Sequence, residues 1–285
     1  MKPLGIIAGG GPIPVMLAEQ CLADRRPFFI AGIIGAASAA ITRYPHQWVG
    51  IGAVGRLMRG LRQHGCEEVV FIGPVRRPDL RHLKLDWGGM RFFPRYLRSA
   101  LGGDDQLLRA LVAEFERHGF RVIGAHELLA DICAPAGILG AVAPGPDDHI
   151  DIKRALAVGR QIGALDIGQA TVVCGGVVLA VEAAEGTDAM LTRCARLPRG
   201  LRATPEANGG KRQGVLVKLP KPGQERRIDM PAIGVTTLRL AAAAGLAGIG
   251  FEAGGALLVD VTAMISEADR QGMFLIGLDG SGEMG

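Results

Sequence analysis

The sequence predicts an α/β protein with an N-terminal Rossmann-like parallel sheet domain and a second α/β domain at the C-terminal end. In the first part of the chain, short buried-strand patterns alternate with helical patterns, which is the order of a parallel sheet covered by helices. Glycine is abundant, with 43 residues among 285, while aromatic residues make up only 5%. Many glycines in an apolar chain favour the tight strand–helix turns of this fold class.

The N-terminal elements follow from short apolar runs and from the residues that end them. The predicted strands are apolar runs, interrupted only by Arg121 in the last of them, as expected where a parallel sheet is covered on both faces. Gly65 and Gly119 end two of the predicted helices, and Asp104 is a suitable N-cap for one of them. The predicted strands are 4–8, 28–34, 69–72 and 120–124, and the predicted helices follow Pro12, Ala53 and Asp104.

A change of composition at residues 134–149, where Pro and Gly cluster, indicates a domain boundary. We therefore predict an N-terminal domain at 1–133, a linker at 134–149 and a C-terminal domain at 150–285 that carries the polar loop 218–231. In the C-terminal domain, the pair Gly175-Gly176 predicts a hairpin between two strands. Strands at 214–219, 257–261 and 273–278 and helices at 150–162, 188–197, 236–244 and 263–270 complete the expected elements.

Charge and cysteine usage narrow the class of protein. The formal net charge of +4 is too small to indicate nucleic-acid binding, which we do not expect, but it suits an anionic substrate or membrane surface. The five cysteines form no CxxC pair, which is typical of a reducing compartment. With no signal peptide or long apolar span in view, we expect a cytoplasmic protein.

Of two glycine-rich turns, the first favours a ligand at the N-terminal sheet over a tight turn without a ligand. The turn containing Gly10, Gly11 and Pro12 lies between the first strand and first helix, where backbone N–H groups can bind phosphate. Residues 50–55 match GxGxxG, but the strand that follows lacks the acidic residue that a dinucleotide fold uses for the ribose. A nucleotide-sugar or NAD(P)-dependent oxidoreductase is therefore an alternative supported only by these turns.

Residues 76–98 mix basic and aromatic side chains, among them Trp87, Phe92, Phe93 and Tyr96. Such a mixture suits an anionic membrane interface or an acylated phosphate ligand. An ordinary solvated surface over core aromatics explains the pattern equally well. Peripheral contact with a membrane surface is therefore an open expectation.

The C-terminal half contains two polar segments that follow predicted strands. One is the turn from Glu182 to Asp188, which contains Thr187 and opens a helix. A simple helix cap explains Thr187 or Asp188, but not the whole acidic turn. The other is the proline-stiffened loop 218–231, whose cations can hold phosphate and whose carboxylates can bind Mg²⁺ or orient water.

Three segments together resemble the LpxI family of UDP-2,3-diacylglucosamine pyrophosphatases. They are LGIIAGGGPIP at the start, LDIGQATVVCGGVVLAVEAAEGTDAML in the middle and VLVKLPKPGQERRIDMPAIG near the end. The resemblance implies a two-domain enzyme that holds its substrate between the domains. It also implies Mg²⁺-dependent hydrolysis to UMP and 2,3-diacylglucosamine 1-phosphate in lipid A biosynthesis, with an acylated UDP-sugar as substrate.

The resemblance places a functional acid at Asp229, which we predict to bind Mg²⁺ or to position water. Glu225 is a second catalytic candidate, and Asp188 is a second metal ligand. Further residues are predicted to contact phosphate or sugar or to line the cleft: Gly10, Gly11, Pro12, Gly168, Gln169, Thr187, Asp188, Lys218, Lys221 and Gln224. A homodimer is an open alternative, and so is a non-catalytic protein that binds a nucleotide or lipid.

Overall fold

The computed structural model describes residues 1–75, 85–91, 104–198, 200–202 and 209–279. The chain packs into two compact units, one of Met1–Ala130 with Glu225–Asp229 and one of Asp131–Gln224 with Met230–Gly285. The first unit therefore takes a short piece of the chain that the sequence assigns to the C-terminal domain. Most of the basic and aromatic segment, and the tail at 280–285, lie outside the described residues.

The first unit contains a five-stranded parallel sheet in the order β3-β2-β1-β4-β5, which is a Rossmann-like order. Its described strands are β1 (Leu4–Ala8), β2 (Phe28–Ile33), β3 (His46–Val49), β4 (Glu68–Ile72) and β5 (Arg121–Val122). The helices are α1 (Ile13–Ala23), α2 (Val54–Gln63), α3 (Asp104–Arg117) and α4 (Ala125–Leu128), with 3-10 turns at Ala39–Arg43 and Ala130–Ile132.

The second unit contains a mixed sheet in the order β6-β13-β11-β9-β7-β8 and a two-stranded sheet of β10 and β12. The strands are β6 (Gly137–Leu139), β7 (Ala170–Cys174), β8 (Val177–Val181), β9 (Val215–Lys218), β10 (Ala232–Ile233), β11 (Gly248–Glu252), β12 (Leu257–Leu258) and β13 (Phe274–Leu278). The helices are α5 (Pro146–Ala164), α6 (Thr187–Cys194), α7 (Val235–Ala243) and α8 (Val261–Gln271).

Alternating apolar side chains of the second sheet pack into separate cores on its two faces. Val172, Leu216 and Ile249 lie in a buried cluster with residues of α6, α7 and α8. Val173 and Val215 lie in a different cluster with residues of α5. Because side chains alternate along a strand, helices on both faces explain the continuous apolar runs in the sequence. The two α/β units confirm the predicted fold class.

The segment predicted as a linker, 134–149, takes part in the second unit. Within it, β6 pairs antiparallel with β13, and Ala134 is buried in the core. Helix α5 already begins at Pro146, which occupies the first turn where a missing N–H costs nothing. Gly137, the first residue of the short strand, and Gly140, which follows the strand, have positive φ angles. The Pro and Gly residues thus shape turns inside the unit rather than a connection between units.

Candidate functional site

Polar side chains of the second unit gather where three strands begin or end. Lys218 is the last residue of β9, Glu182 follows β8, and Gln169 precedes β7. Because β7 is antiparallel to both β8 and β9, the start of β7 lies beside the carboxyl ends of its two neighbours. Ligands of α/β sheets bind near the carboxyl ends of strands. This end of the sheet is therefore the candidate site of the second unit.

A chain of hydrogen bonds joins these side chains. Lys218 Nζ donates to Thr187 Oγ1 at 2.9 Å and to the carbonyl oxygen of Ala232 at 3.1 Å. Thr187 Oγ1 donates to Glu182 Oε1 at 2.8 Å. Glu182 Oε2 accepts from the backbone N–H of Gln169 at 3.3 Å. Lys218, Glu182 and Thr187 are only 6%, 7% and 8% exposed, so this polar chain is shielded from water.

Gly168 and Gln169 pack closely against the same acid. A Cβ at Gly168 would lie 2.0 Å from the carbonyl oxygen of Glu182, so only glycine fits there. The side-chain oxygen of Gln169 is buried and has no hydrogen-bond partner among the described residues. A buried acceptor without a partner costs free energy, and a donor on a ligand would satisfy it. Both residues thus lie beside the buried polar chain, and their contact with the substrate stays a prediction.

Asp188, the second residue of α6, is exposed and is directed towards α7. Its Oδ1 accepts from the hydroxyl of Thr237 at 2.9 Å, a bond that ties the two helices together. The N-cap of α6 is Gly186, with a φ of 81°, and no side chain caps that helix. The capping explanation of Thr187 and Asp188 is therefore wrong, and Thr187 uses its hydroxyl in the buried chain instead.

Lys221 and Gln224 serve a turn at the surface of the second unit. Gln224 is buried, and its Oε1 accepts from the backbone N–H of Lys221 at 2.8 Å. Lys221 Nζ forms a 2.7 Å ion pair with Asp166, whose backbone has a positive φ of 55°. Because an ammonium group has three N–H donors, Lys221 could keep this ion pair and still donate to a phosphate oxygen.

The glycine-rich turn of the first unit packs mainly against its own fold. Gly9 N donates to Ile72 O, and Gly10 N donates to Pro74 O at 2.9 Å. A Cβ at Gly9 would lie 2.3 Å from the carbonyl oxygen of Gly73, so the glycine permits close contact between the loops after β1 and β4. Because Pro12 lacks an N–H, fewer donors remain for phosphate than the sequence suggests.

Glu225 and Asp229 lie in the piece that groups with the first unit, where Ile228 packs against the core. Both oxygens of Glu225 accept from the Arg227 guanidinium, at 2.7 and 2.8 Å. These bonds outweigh partial burial and lower the pKa of Glu225. Arg227 also pairs with Glu116 of α3 at 2.7 Å. Glu225 is therefore an anchored anion, whereas Asp229 ends the turn by donating its backbone N–H to Glu225 O.

The GxGxxG match also has a different role in the structure. At the start of α2, Asp86 accepts from the backbone N–H groups of Gly55 at 3.2 Å and Arg56 at 2.7 Å. Gly89 N donates to the same carboxylate at 2.7 Å. Burial opposes ionisation, but these backbone donors outweigh it and lower the pKa of Asp86. A carboxylate of the chain thus occupies the place where a dinucleotide fold binds pyrophosphate, which argues against the oxidoreductase alternative.

The predicted carboxylates offer Mg²⁺ a suitable type of ligand. Asp229 and Asp188 supply hard oxygen atoms, which are the ligands that Mg²⁺ takes. Within the described residues, no group of three or more His, Cys, Asp or Glu side chains could hold a metal. Mg²⁺ in nucleotide-handling enzymes is commonly held by one or two carboxylates together with substrate phosphates. The residue types at these positions fit that arrangement.

Three acidic residues that contact the predicted site residues or the GxGxxG segment are not identified by the sequence patterns. Glu182 belongs to the acidic turn without being predicted as a site residue, and Asp166 and Asp86 are not predicted as partners. An acid directly after a buried strand is a usable signal for Glu182, because that position is the end of the sheet. Asp166 lies 55 residues from Lys221, and Asp86 lies 31 residues from Gly55, so no local pattern reveals either pairing.

These features define a two-unit α/β protein with a buried cationic and hydroxyl-bearing site suited to an anionic ligand. Comparison with known families agrees with this class. The LpxI N-terminal domain model matches residues 3–132, and the LpxI C-terminal domain model matches residues 135–276. A Caulobacter vibrioides protein named UDP-2,3-diacylglucosamine pyrophosphatase LpxI is 50% identical over 279 residues, covering 98% of each chain. The chain belongs to the LpxI family, which confirms the resemblance.

Proposed function

We propose that this chain hydrolyses UDP-2,3-diacylglucosamine to UMP and 2,3-diacylglucosamine 1-phosphate, a step of lipid A biosynthesis. The observation that carries the proposal is the match of both family domains, together with 50% identity to a relative bearing that enzyme name. Water attacks one phosphorus atom and the P–O–P bridge breaks. Attack at either phosphorus gives the same two products.

The side chains of the second unit supply binding and charge compensation in this proposal. Lys218 provides a buried cation for the pyrophosphate, whose charge must be offset in the transition state. Thr187 fixes the ammonium group of Lys218 by accepting its hydrogen bond. A hydroxyl of the sugar or the N–H of uracil would satisfy the buried oxygen of Gln169. Lys221 is a peripheral phosphate contact.

Asp229 is the proposed catalytic carboxylate, either as a ligand of Mg²⁺ or as the group that positions the attacking water. When bound, Mg²⁺ would offset charge on the pyrophosphate oxygens. Asp188 is the second proposed ligand, with one oxygen hydrogen-bonded to Thr237. Glu225 is the weaker catalytic candidate because its two oxygens are held by Arg227.

The decisive experiment measures UMP release from UDP-2,3-diacylglucosamine with Mg²⁺ and with a chelator. The variant Asp229→Asn keeps the size of the side chain but removes its charge, and we expect kcat to fall at least about 100-fold. Asp24→Asn is the matched control, because Asp24 is exposed at the end of α1 and should leave the rate unchanged.

Each outcome separates one candidate function from the others. Release that requires Mg²⁺ and collapses only in Asp229→Asn supports the proposal. Release of UMP that persists in the chelator contradicts the requirement for Mg²⁺. Full activity of Asp229→Asn contradicts the catalytic role assigned to Asp229. Ligand binding without turnover favours the non-catalytic binding protein, and tight NAD(P) binding without hydrolysis favours the oxidoreductase.

We further propose that the chain is cytoplasmic and meets the inner face of the membrane through the first unit. The helical residues 87–91 expose Trp87, which is 78% exposed, and Met90. Arg56, Arg59 and Arg91 are exposed on the same helical segments, α2 and 87–91, which pack together through Gly55 and Gly88. An interfacial tryptophan with arginines suits an anionic lipid surface, where a diacylated substrate resides.

A further inference from the structure

Glu182 is a buried carboxylate for which the catalytic scheme above has no assigned task. It is held by the fold on its backbone side, because its N–H donates to Ala170 O at 2.8 Å and Gly168 packs against its carbonyl. Its side chain turns inward and its two oxygens accept from different groups, Thr187 Oγ1 and Gln169 N. An ionisable group that is 7% exposed is costly to bury, so its partners indicate what it does.

The hydroxyl of Thr187 transmits the effect of this carboxylate. A threonine hydroxyl has a single proton, and here that proton goes to Glu182. A lone pair of the same oxygen accepts from Lys218 Nζ at 2.9 Å. The donated bond to a carboxylate strengthens the oxygen as an acceptor, since linked hydrogen bonds polarise one another. Glu182 therefore fixes both the rotation of the hydroxyl and the direction of the ammonium group.

We propose that Glu182 is a positioning residue that acts through Thr187 to hold the Lys218 ammonium group for the substrate's pyrophosphate. Glu182 also holds Gln169 directly, by accepting a hydrogen bond from that residue's backbone N–H. The two proposed substrate contacts thus share one buried anchor. This inference rests on the proposed function, because it assigns Glu182 a part in the same reaction.

A second buried carboxylate of the same unit provides the matched control. Asp151 is 1% exposed and accepts from the backbone N–H groups of Gly175 at 3.0 Å and Gly176 at 2.7 Å. These glycines form the turn between β7 and β8, at the far end of that hairpin from Glu182. Asp151→Asn removes a buried charge that supports only the fold. Its effect should appear in stability and not in kcat.

The test is a double-mutant cycle of Glu182→Gln and Thr187→Val, read as kcat and KM for UMP release. If Glu182 acts through Thr187, each single variant should lower kcat/KM about 10- to 100-fold, because a misplaced charge forfeits transition-state stabilisation. The double variant should then be no slower than the worse single variant, within about 3-fold. Thr187→Ser retains the hydroxyl and should restore most of the activity.

The outcomes distinguish this inference from the function beneath it. If the unaltered protein releases no UMP, the proposed function fails. If it is active and the two substitutions multiply their effects, Glu182 does not act through Thr187 and the inference is overturned. Glu182→Gln that loses thermal stability like Asp151→Asn, yet keeps its kcat/KM, also overturns it. Non-additive losses in kcat with an unchanged melting temperature support it.

Discussion

Glu225 and Asp229 begin and end a single turn of the chain, but the structure gives their carboxylates different surroundings. The guanidinium of Arg227 contacts both oxygens of Glu225 and reaches on to Glu116. A carboxylate in such a pair stays ionised and is a poor base, since its bonds lower its pKa. Asp229 is half-buried at the end of the turn, where the family resemblance places the functional acid.

Replacement of Glu225 by glutamine should therefore lower the activity much less than Asp229→Asn does. We expect kcat of Glu225→Gln to stay within about 10-fold of the original, because the group supports the turn and does not take part in proton transfer. Its cost should appear as a modest loss of stability, typical of a partly exposed ion pair, of about 0.2–1 kcal/mol. The assay for UMP release and thermal unfolding measure the two effects separately. Loss of activity as severe as that in Asp229→Asn would contradict this division of roles.

Residue types at the site are largely predictable from sequence, whereas their partners are not. Lys218 and Thr187 follow from a polar segment placed after a strand, and the structure joins them by a hydrogen bond. The pairings of Lys221 with Asp166 and of Glu225 with Arg227, in contrast, cannot be predicted from the sequence. The first depends on tertiary contact, and the second on the conformation of a loop that mixes both signs of charge. Sequence spacing predicts neither geometry.

At the scale of elements, the start of α2 shows how an internal carboxylate replaces an external ligand. Asp86 lies outside α2, yet it accepts from the first N–H groups of that helix. Such a contact satisfies donors that a helix leaves unpaired, and it complements the positive end of the helix dipole. The glycines at 55, 88 and 89 allow this approach, because a Cβ at Gly89 would lie 2.1 Å from Gly52 O.

The variant Asp86→Asn should destabilise the first unit by about 1–2 kcal/mol, by analogy with the loss of a helix cap. The folded pKa of Asp86 is lowered, so its stabilisation is present above the ordinary value of 3.8 and is lost as pH falls through the folded value. The difference in melting temperature between the unaltered protein and Asp86→Asn should therefore become smaller at acidic pH.

Asp147→Asn is the control for Asp86→Asn. Asp147 lies in the first turn of α5, and its replacement removes a charge near a helix start. A melting temperature lowered equally by both substitutions would mean that the dipole, rather than the backbone hydrogen bonds, sets the effect. Thermal unfolding followed by circular dichroism at several pH values measures both quantities.

The sequence predicts some strands correctly and misses others, and the difference depends on which residues each strand contains. Strands β1, β2 and β4 are apolar runs, apart from Glu68 at the start of β4, and they lie where the sequence places them. Strands β3, β6 and β11 are not predicted. The first contains His46 and Gln47, and the second is a three-residue edge strand among glycines. Strand β11 contains Gly248 and Gly250, which pack under Phe274 and Leu278 of the neighbouring strand, and small residues give no strand pattern of their own.

On the scale of the whole molecule, the proposed contact with lipid would link the protein to its proposed substrate. Within the described residues, no helix is both long and apolar enough to cross a bilayer. The exposed Trp87 and Met90 instead offer a surface that would lie within the interface. The arginines beside them would add an attraction for anionic headgroups that salt weakens.

The chain has two tryptophans, so Trp48→Phe leaves Trp87 as its single tryptophan. Its fluorescence should shift to the blue with vesicles of phosphatidylglycerol and phosphatidylethanolamine, and less with phosphatidylcholine alone. Burial of a large apolar side chain contributes about 1.5–3 kcal/mol, so Trp87→Ser should lower vesicle partitioning about 10-fold or more. Leu22→Ser, which changes an exposed residue of α1, should not.

If Trp87→Ser binds vesicles as well as the unaltered protein does, another surface of the protein makes the membrane contact. No binding to anionic vesicles at low salt would contradict a membrane role for Trp87. An acidic protein partner would then be the better occupant of these arginines and apolar side chains.

The short piece Glu225–Asp229 also bears on how the chain is made. The first unit gains Ile228 in its core and Arg227 beside Glu116 only from this piece, while the residues before and after it belong to the second unit. During synthesis, domains generally fold from the N-terminal end as each becomes complete. Here the ribosome must deliver residue 229 before the first unit can finish its core. A nascent chain paused near residue 133 would hold an unfinished first unit, because residues 225–229 complete that unit only after most of the second unit has been synthesised.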